Sequence, residues 1–159
     1  MNPLTPASVL VIESHPLMRE ALYAAIAGEP DLMVAAQAVN CTEVLNMVVT
    51  VDPGQAVLAF KPDIILLTLG NPGLVELETL KALRKALPDT SILALTADEV
   101  PCQGQAALAA GAQAVLGKSA ARAELIGKLR ELRLSKPVPL ESTQAGLSEG
   151  PVVQLETVK

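Results

Sequence analysis

Aromatic residues are almost missing from this chain: Tyr23 and Phe60 are the only ones among 159 residues, and tryptophan is absent. The core must therefore be aliphatic, and a site that grips a ligand between rings is not expected. Histidine occurs once, as His15, and cysteine twice, as Cys41 and Cys102, without Cys-x-x-Cys spacing. A metal centre or disulfide framework has little support, so both cysteines are expected to be reduced packing residues. Positive charge is also scarce, with 12 Lys and Arg against 17 Asp and Glu for a formal charge of −5. That sign opposes unaided binding to a phosphate backbone, and direct nucleic-acid contact is not expected. No run approaches ~20 uninterrupted apolar residues, and Met1 to Ala7 lacks the basic region and apolar stretch of a secretory signal. The expectation is a cytoplasmic protein with no membrane segment.

What is present is enough for one domain, since 50% of the residues are hydrophobic and 18% charged. Val9-Leu10-Val11-Ile12 predicts a strand, and Pro16 suits the first turn of a following helix. Leu17, Met18, Ala21, Leu22, Ala25 and Ile26 predict one helical face, stopped by Gly28 and Pro30. Leu32 to Ala38 predicts a second strand, with Thr42 placed to cap a helix from about Glu43. Asp52-Pro53-Gly54 should break that helix into two pieces before Phe60. Ile64 to Thr68 predicts the central strand, buried on both faces. A stripe of Leu74, Leu77, Leu80, Leu83 and Leu87 follows, ended by Pro88. Ser91 to Thr96 predicts strand four, Gln103 to Ala110 a helix closed by Gly111, and Ala112 to Leu116 strand five. Ser119 is placed to cap a last helix to about Leu134, with Leu125, Ile126, Leu129 and Leu132 inward.

Five strands alternating with helical segments predict an α/β doubly wound parallel sheet, with helices on both faces and right-handed crossovers. The expected organisation is a flexible N-terminus at 1–7, a domain at 8–134 and a disordered tail at 135–159. Within the tail, Val152-Val153-Gln154-Leu155 could add a strand to another sheet edge, but a disordered stub is the simpler expectation.

In such a sheet the site is expected at the carboxyl ends of the strands. Those ends hold Glu13-Ser14, Thr68, Thr96-Ala97 and Lys118. With Val9 to Leu22, Glu29-Pro30-Asp31-Leu32, Lys61-Pro62-Asp63-Ile64-Ile65-Leu66-Leu67, Pro72-Gly73, Leu95-Thr96-Ala97 and Gly111-Ala112, they carry a family likeness. From about Ser8 to Leu134 the chain resembles the receiver domain of bacterial response regulators, particularly the branch that precedes LuxR-type DNA-binding domains. The resemblance implies a flavodoxin-like fold with strand order 2-1-3-4-5.

It further implies a cleft in which two acids after strand one and an aspartate after strand three hold Mg²⁺, the aspartate accepting a phosphoryl group from a histidine kinase. At these positions stand Glu13, Ser14 and Thr68. Thr96 matches the hydroxyl-bearing switch residue, Lys118 the lysine, and Val115 the switch aromatic. A hard cation such as Mg²⁺ wants carboxylate oxygens, and only Glu13 offers them, so Mg²⁺ binding is expected to be weak or absent and no cofactor is expected. Thr68 has no carboxylate to form an acyl phosphate. Lys118 is expected to turn to Glu13 as its nearest anion.

The leading expectation is therefore a degenerate receiver that is not an enzyme and works through a protein partner or a homodimer. Similar receivers associate through their last two helices and the strand between them, here roughly Gln103 to Leu134. The 25 residues from Ser135 are too few and too irregular for a LuxR-type helix-turn-helix, so transcriptional effects should need another subunit. An alternative keeps phosphorelay with Glu13 or Asp98 as substitute acid. A further alternative, a flavodoxin-like cofactor protein, lacks the phosphate loop and flanking rings. His15 is expected in a loop without a catalytic partner. Arg122, Lys128, Arg130 and Arg133 are expected on a solvated helix face.

Overall fold

The computed structural model describes residues 5–40, 42–44, 61–70, 74–97 and 101–135. Within them five parallel strands form one sheet: β1 (Ala7–Ile12), β2 (Leu32–Ala38), β3 (Ile64–Thr68), β4 (Ser91–Thr96) and β5 (Ala114–Gly117). Their order is β2-β1-β3-β4-β5, which makes β3 the central strand as its apolar sequence requires. The described helices of a full turn or more are α1 (Pro16–Ala27), α2 (Leu74–Ala86), α3 (Pro101–Ala110) and α4 (Arg122–Leu134).

Strand residues alternate between two cores because successive side chains point to opposite faces. Leu10, Ile12, Ile65, Leu67, Ile92 and Ala94 face one side, where Leu80 and Leu83 of α2 and Ala107 of α3 cover them. Val9, Val11, Ile64, Leu66, Leu93 and Leu95 face the other, under Leu22 and Ile26 of α1 and the expected Leu125, Ile126, Leu129 and Leu132 of α4. Both layers are aliphatic, in keeping with the scarcity of rings.

Several local expectations need correction. Leu17 and Leu74 do not join the buried stripes; they are 83% and 65% exposed. Each occupies the first turn of a helix that has just left a strand end, where no strand side chain remains to pack on. Thr42 is itself helical, and the cap is Asn40, whose Oδ1 accepts the Glu43 N–H at 2.8 Å. Glu43 Oε2 in turn accepts the Val39 N–H at 3.0 Å, a reciprocal arrangement close to a capping box. Ser119 caps nothing: the N-cap of α4 is Ala121, without a side-chain bond. Ser119 belongs to the preceding turn, closed by Ala120 N–H donating to the Gly117 carbonyl at 3.0 Å. The first strand begins at Ala7, two residues before the expected Val9, and Ala7 is buried and pairs with Leu32. Strand five begins at Ala114, two residues late, because Ala112 closes the turn at Gly111 by donating its N–H to the Ala107 carbonyl at 3.0 Å. Cys102 is exposed rather than packed, while Cys41 lies outside the described residues. The expected break near Asp52 and the tail from 136 onward also lie outside them.

The basic residues of α4 are not a freely solvated face. Arg122 Nη2 bonds Glu29 Oε1 at 2.9 Å, and Arg130 reaches both Glu29 Oε2 at 2.6 Å and Asp31 Oδ1 at 2.8 Å. Arg133 donates to the carbonyls of Asp31 at 3.1 Å and Thr5 at 2.7 Å. The bonds to Glu29 and Asp31 clamp α4 to the α1–β2 turn across sequence separations of 93 to 102, and the bond to Thr5 ties it to the residues before β1. Arg130 holds the Asp31 carboxyl well below its usual range, at about 2. A second arginine, Arg84 on α2, is buried and uses carbonyls instead of an acid: Nε donates to Gly111 O at 3.0 Å and Nη1 to Thr90 O at 2.8 Å. Burial without a carboxylate lowers its pKa. Gly111, at φ +119°, permits this contact, since an added Cβ would fall 2.9 Å from Arg84 Cγ.

Candidate functional site

The sheet register brings the strand ends together. Val9 pairs with Ile64 and Thr68 with Leu95, so Glu13, Thr68 and Thr96 emerge side by side at the carboxyl edge. Main-chain bonds tie these ends: Glu13 N–H donates to Ala38 O at 3.1 Å, Leu69 N–H to Leu95 O at 2.8 Å and Lys118 N–H to Thr96 O at 2.8 Å. Lys118 therefore stands beside the end of β4, as expected.

Glu13 is the buried acid of this edge, at 2% exposure. Its Oε1 accepts the His15 backbone N–H at 2.7 Å and lies 3.1 Å from His15 Nδ1. The short i to i+2 bond shapes the turn into α1, whose N-cap is His15, while Arg19 Nη1 donates to the Glu13 carbonyl at 2.8 Å. Burial opposes ionisation of Glu13, but the His15 N–H, the neighbouring Thr68 hydroxyl, the His15 ring and the charge of Lys118 together outweigh it and lower its pKa. The expected interaction with Lys118 is electrostatic: its charge helps to lower the Glu13 pKa, and among the described residues the direct bonds to the carboxylate come from His15.

Thr68 is 9% exposed, and its Oγ1 is buried, with no hydrogen-bond partner identified among the described residues. The hydroxyl nevertheless acts on Glu13, whose pKa it helps to lower. A cavity of about 80 Å³ opens here, lined by Ser14, Asn40, Thr42, Thr68, Val75 and Glu76 among others. Ser14 is exposed at its edge. Thr96 is buried at the end of β4, and Val115 packs on the core beside α3, where an added Cβ on Gly104 would lie 3.3 Å from Val115 Cγ1.

Glu76 is the cleft residue that sequence inspection missed. It sits in the first turn of α2, and its carboxylate folds over the end of β3, so that a Cβ at Gly70 would lie 2.9 Å from its Oε1. An acid in a first helical turn ordinarily reads as a favourable dipole partner, which hides any further role. Gln103, the expected start of the helix before Gly111, is buried; its side chain turns toward the cleft and bonds Gly70 and Ala97. Asp98 lies outside the described residues. No group of three or more metal-ligating side chains is found among the described residues. A larger groove, about 620 Å³, lies at the opposite end of β5 between Arg84, Gln113, Lys128 and Leu132, away from the strand carboxyl ends.

Residues 9–130 match the family model for the response regulator receiver domain. Among curated proteins, the chain is 34% identical over 85 residues to the nitrate/nitrite response regulator protein NarL of Escherichia coli K12, covering 54% of this chain and 35% of that one. It is 29% identical over 138 residues to the transcriptional regulatory protein LiaR of Bacillus subtilis, covering 87% of this chain and 61% of that one. The chain thus spans less than two thirds of either relative. Among solved structures, the receiver domain of the putative response regulator NarL from Mycobacterium tuberculosis superposes with a TM-score of 0.67 at 26% identity, covering 81% of this chain and 97% of that one. The isolated receiver domain of RcsB from Salmonella enterica has the same fold, with a TM-score of 0.67 at 18% identity, over 84% of this chain and 93% of that one.

Proposed function

The chain belongs to the response regulator receiver domain family of two-component signalling, and from that premise we propose that it is an atypical, phosphorylation-independent member. Its work is to bind a protein partner or a second copy through the surface between Gln103 and Leu134, in the cytoplasm, without catalysis and without direct contact to nucleic acid. The observation that carries this reading is the end of β3. Thr68 presents a buried alcohol where an aspartyl phosphorelay needs a carboxylate. Ser14 adds a second neutral oxygen, and Glu13, the remaining acid of the expected set, is engaged with His15. This donor set fits Mg²⁺ poorly, because that ion wants an octahedron of hard oxygens anchored by one or two available carboxylates.

One observation favours a second reading. Glu76 lines the cleft, so a relay through a substitute acid rests better on Glu76 than on Glu13, whose Oε1 is already committed. A flavodoxin-like cofactor protein is disfavoured by the stretch from Glu13 to Arg19, which offers neither a phosphate-binding loop nor flanking rings.

Incubation with acetyl phosphate and Mg²⁺, followed by intact-mass spectrometry, tests the proposal. The native chain should show no phosphoryl adduct. An adduct labile to hydroxylamine would mean a working acyl phosphate, and its loss in Glu76→Gln would assign that acid.

A further inference from the structure

Gln103 occupies the first turn of α3, yet its side chain is only 3% exposed. Its carboxamide reaches two main-chain groups on different strand ends. Nε2 donates to the Gly70 carbonyl at 2.6 Å, and Oε1 accepts the Ala97 N–H at 3.2 Å. The pair of bonds fixes the amide's orientation, because a flipped group would set donor against donor and oxygen against oxygen. Gly70 lies just beyond β3 and Ala97 just beyond β4, so one side chain spans the space from the Thr68 strand end to the Thr96 strand end. Beside it, Gly104 lets α3 approach β5 closely, with room for no easy Cβ against Val115.

Ligands of parallel α/β sheets bind outside the carboxyl ends of the strands, where loop main-chain groups are open to them. Here a side chain of the protein holds one such donor and one such acceptor. We infer that Gln103 is an internal latch: its carboxamide takes main-chain groups that a cleft ligand would otherwise bind, and in doing so it fixes α3 against the ends of β3 and β4. Gln103 is thus a positioning residue. The inference deepens the proposed function, on which it rests for its consequence, because a partner face fixed from inside needs no phosphoryl group to set it.

Amide hydrogen exchange by NMR on the full chain tests the latch with two variants. Gln103→Met keeps the length of the side chain and removes both bonds. It should raise exchange at Ala97 and along α3 from Gly104 to Ala110 by about tenfold, while β1 and β3 stay as protected as in the native chain. Unchanged exchange at Ala97 and α3 would overturn the inference. Gln103→Glu keeps an acceptor for Ala97 and loses the donor to Gly70, so it decides the matter if the methionine variant fails to fold. Ala97 should then stay protected while α3 loosens, and a native-like α3 would again overturn the latch. These outcomes are separate from phosphorylation: an acyl phosphate on the native chain would sink the proposed function and leave the exchange result standing.

Discussion

At the scale of the residue, a cleft hydroxyl and a buried guanidinium each predict a response to mutation. Thr68→Val removes the hydroxyl that helps to hold Glu13 ionised, so it should raise the Glu13 pKa toward its ordinary value. Carboxyl chemical shifts followed by NMR over a pH series check this, and an unchanged Glu13 titration would deny the hydroxyl that role. Arg84→Met acts on stability. It strands the Gly111 and Thr90 carbonyls in a buried setting and should cost roughly 2–4 kcal/mol in denaturant unfolding, whereas an unchanged midpoint would deny the guanidinium its role. Glu13 responds to pH. Its folded pKa lies below the ordinary value of 4.5, so its contribution is complete above that value and is lost as pH falls through the folded one. Thr68 and Glu13 were legible in the sequence because their place at strand ends depends on spacing. The His15–Glu13 bond was not, since it depends on a turn geometry that no pattern of residue types specifies.

At the scale of the element, the clamp between α4 and the α1–β2 turn is the largest departure from what the sequence suggests. Basic residues spaced along a helix look alike whether they face water or an acid brought near by the fold. Glu29 and Asp31 become partners only because α1 and α4 cover the same face of the sheet. The apolar side of α4 was legible from its period, since Leu125, Ile126, Leu129 and Leu132 fall on one stripe. The same limit applies to the caps: Asn40 displaces Thr42 because the chain turns two residues earlier. The clamp predicts a sign in acid. Asp31 titrates at about 2 in the folded state against 3.8 ordinarily, so its stabilisation is present above about 3.8 and is lost as pH falls through about 2. Asp31→Asn should flatten the stability profile over that interval and leave the profile above pH 5 parallel to the native one. Urea unfolding at a series of pH values checks this, and an unaltered slope would place the dependence elsewhere.

At the scale of the whole molecule, the fold and the identity of the edge that carries the cleft were legible because five apolar strands in the order β2-β1-β3-β4-β5 leave only one set of carboxyl ends. What was not legible is how the cleft is filled. Glu76 enters from a helix turn, and Gln103 from the first turn of α3. Both depend on how a helix is rotated on the sheet, which periodicity fixes only to within a residue or so. The resulting molecule has a family framework whose cleft ends in alcohols and is bridged by an amide. No described helix is long and apolar enough to cross a membrane. The central claim is that the cleft no longer reads an acyl phosphate, and an amide NMR titration of the full chain with Mg²⁺ and then beryllofluoride tests it most directly, with Thr68→Asp alongside. The native protein should show no saturable shift at Glu13, Thr68, Thr96 or Lys118. Saturable shifts at those amides in the native chain would contradict the claim and return the cleft to phosphorelay.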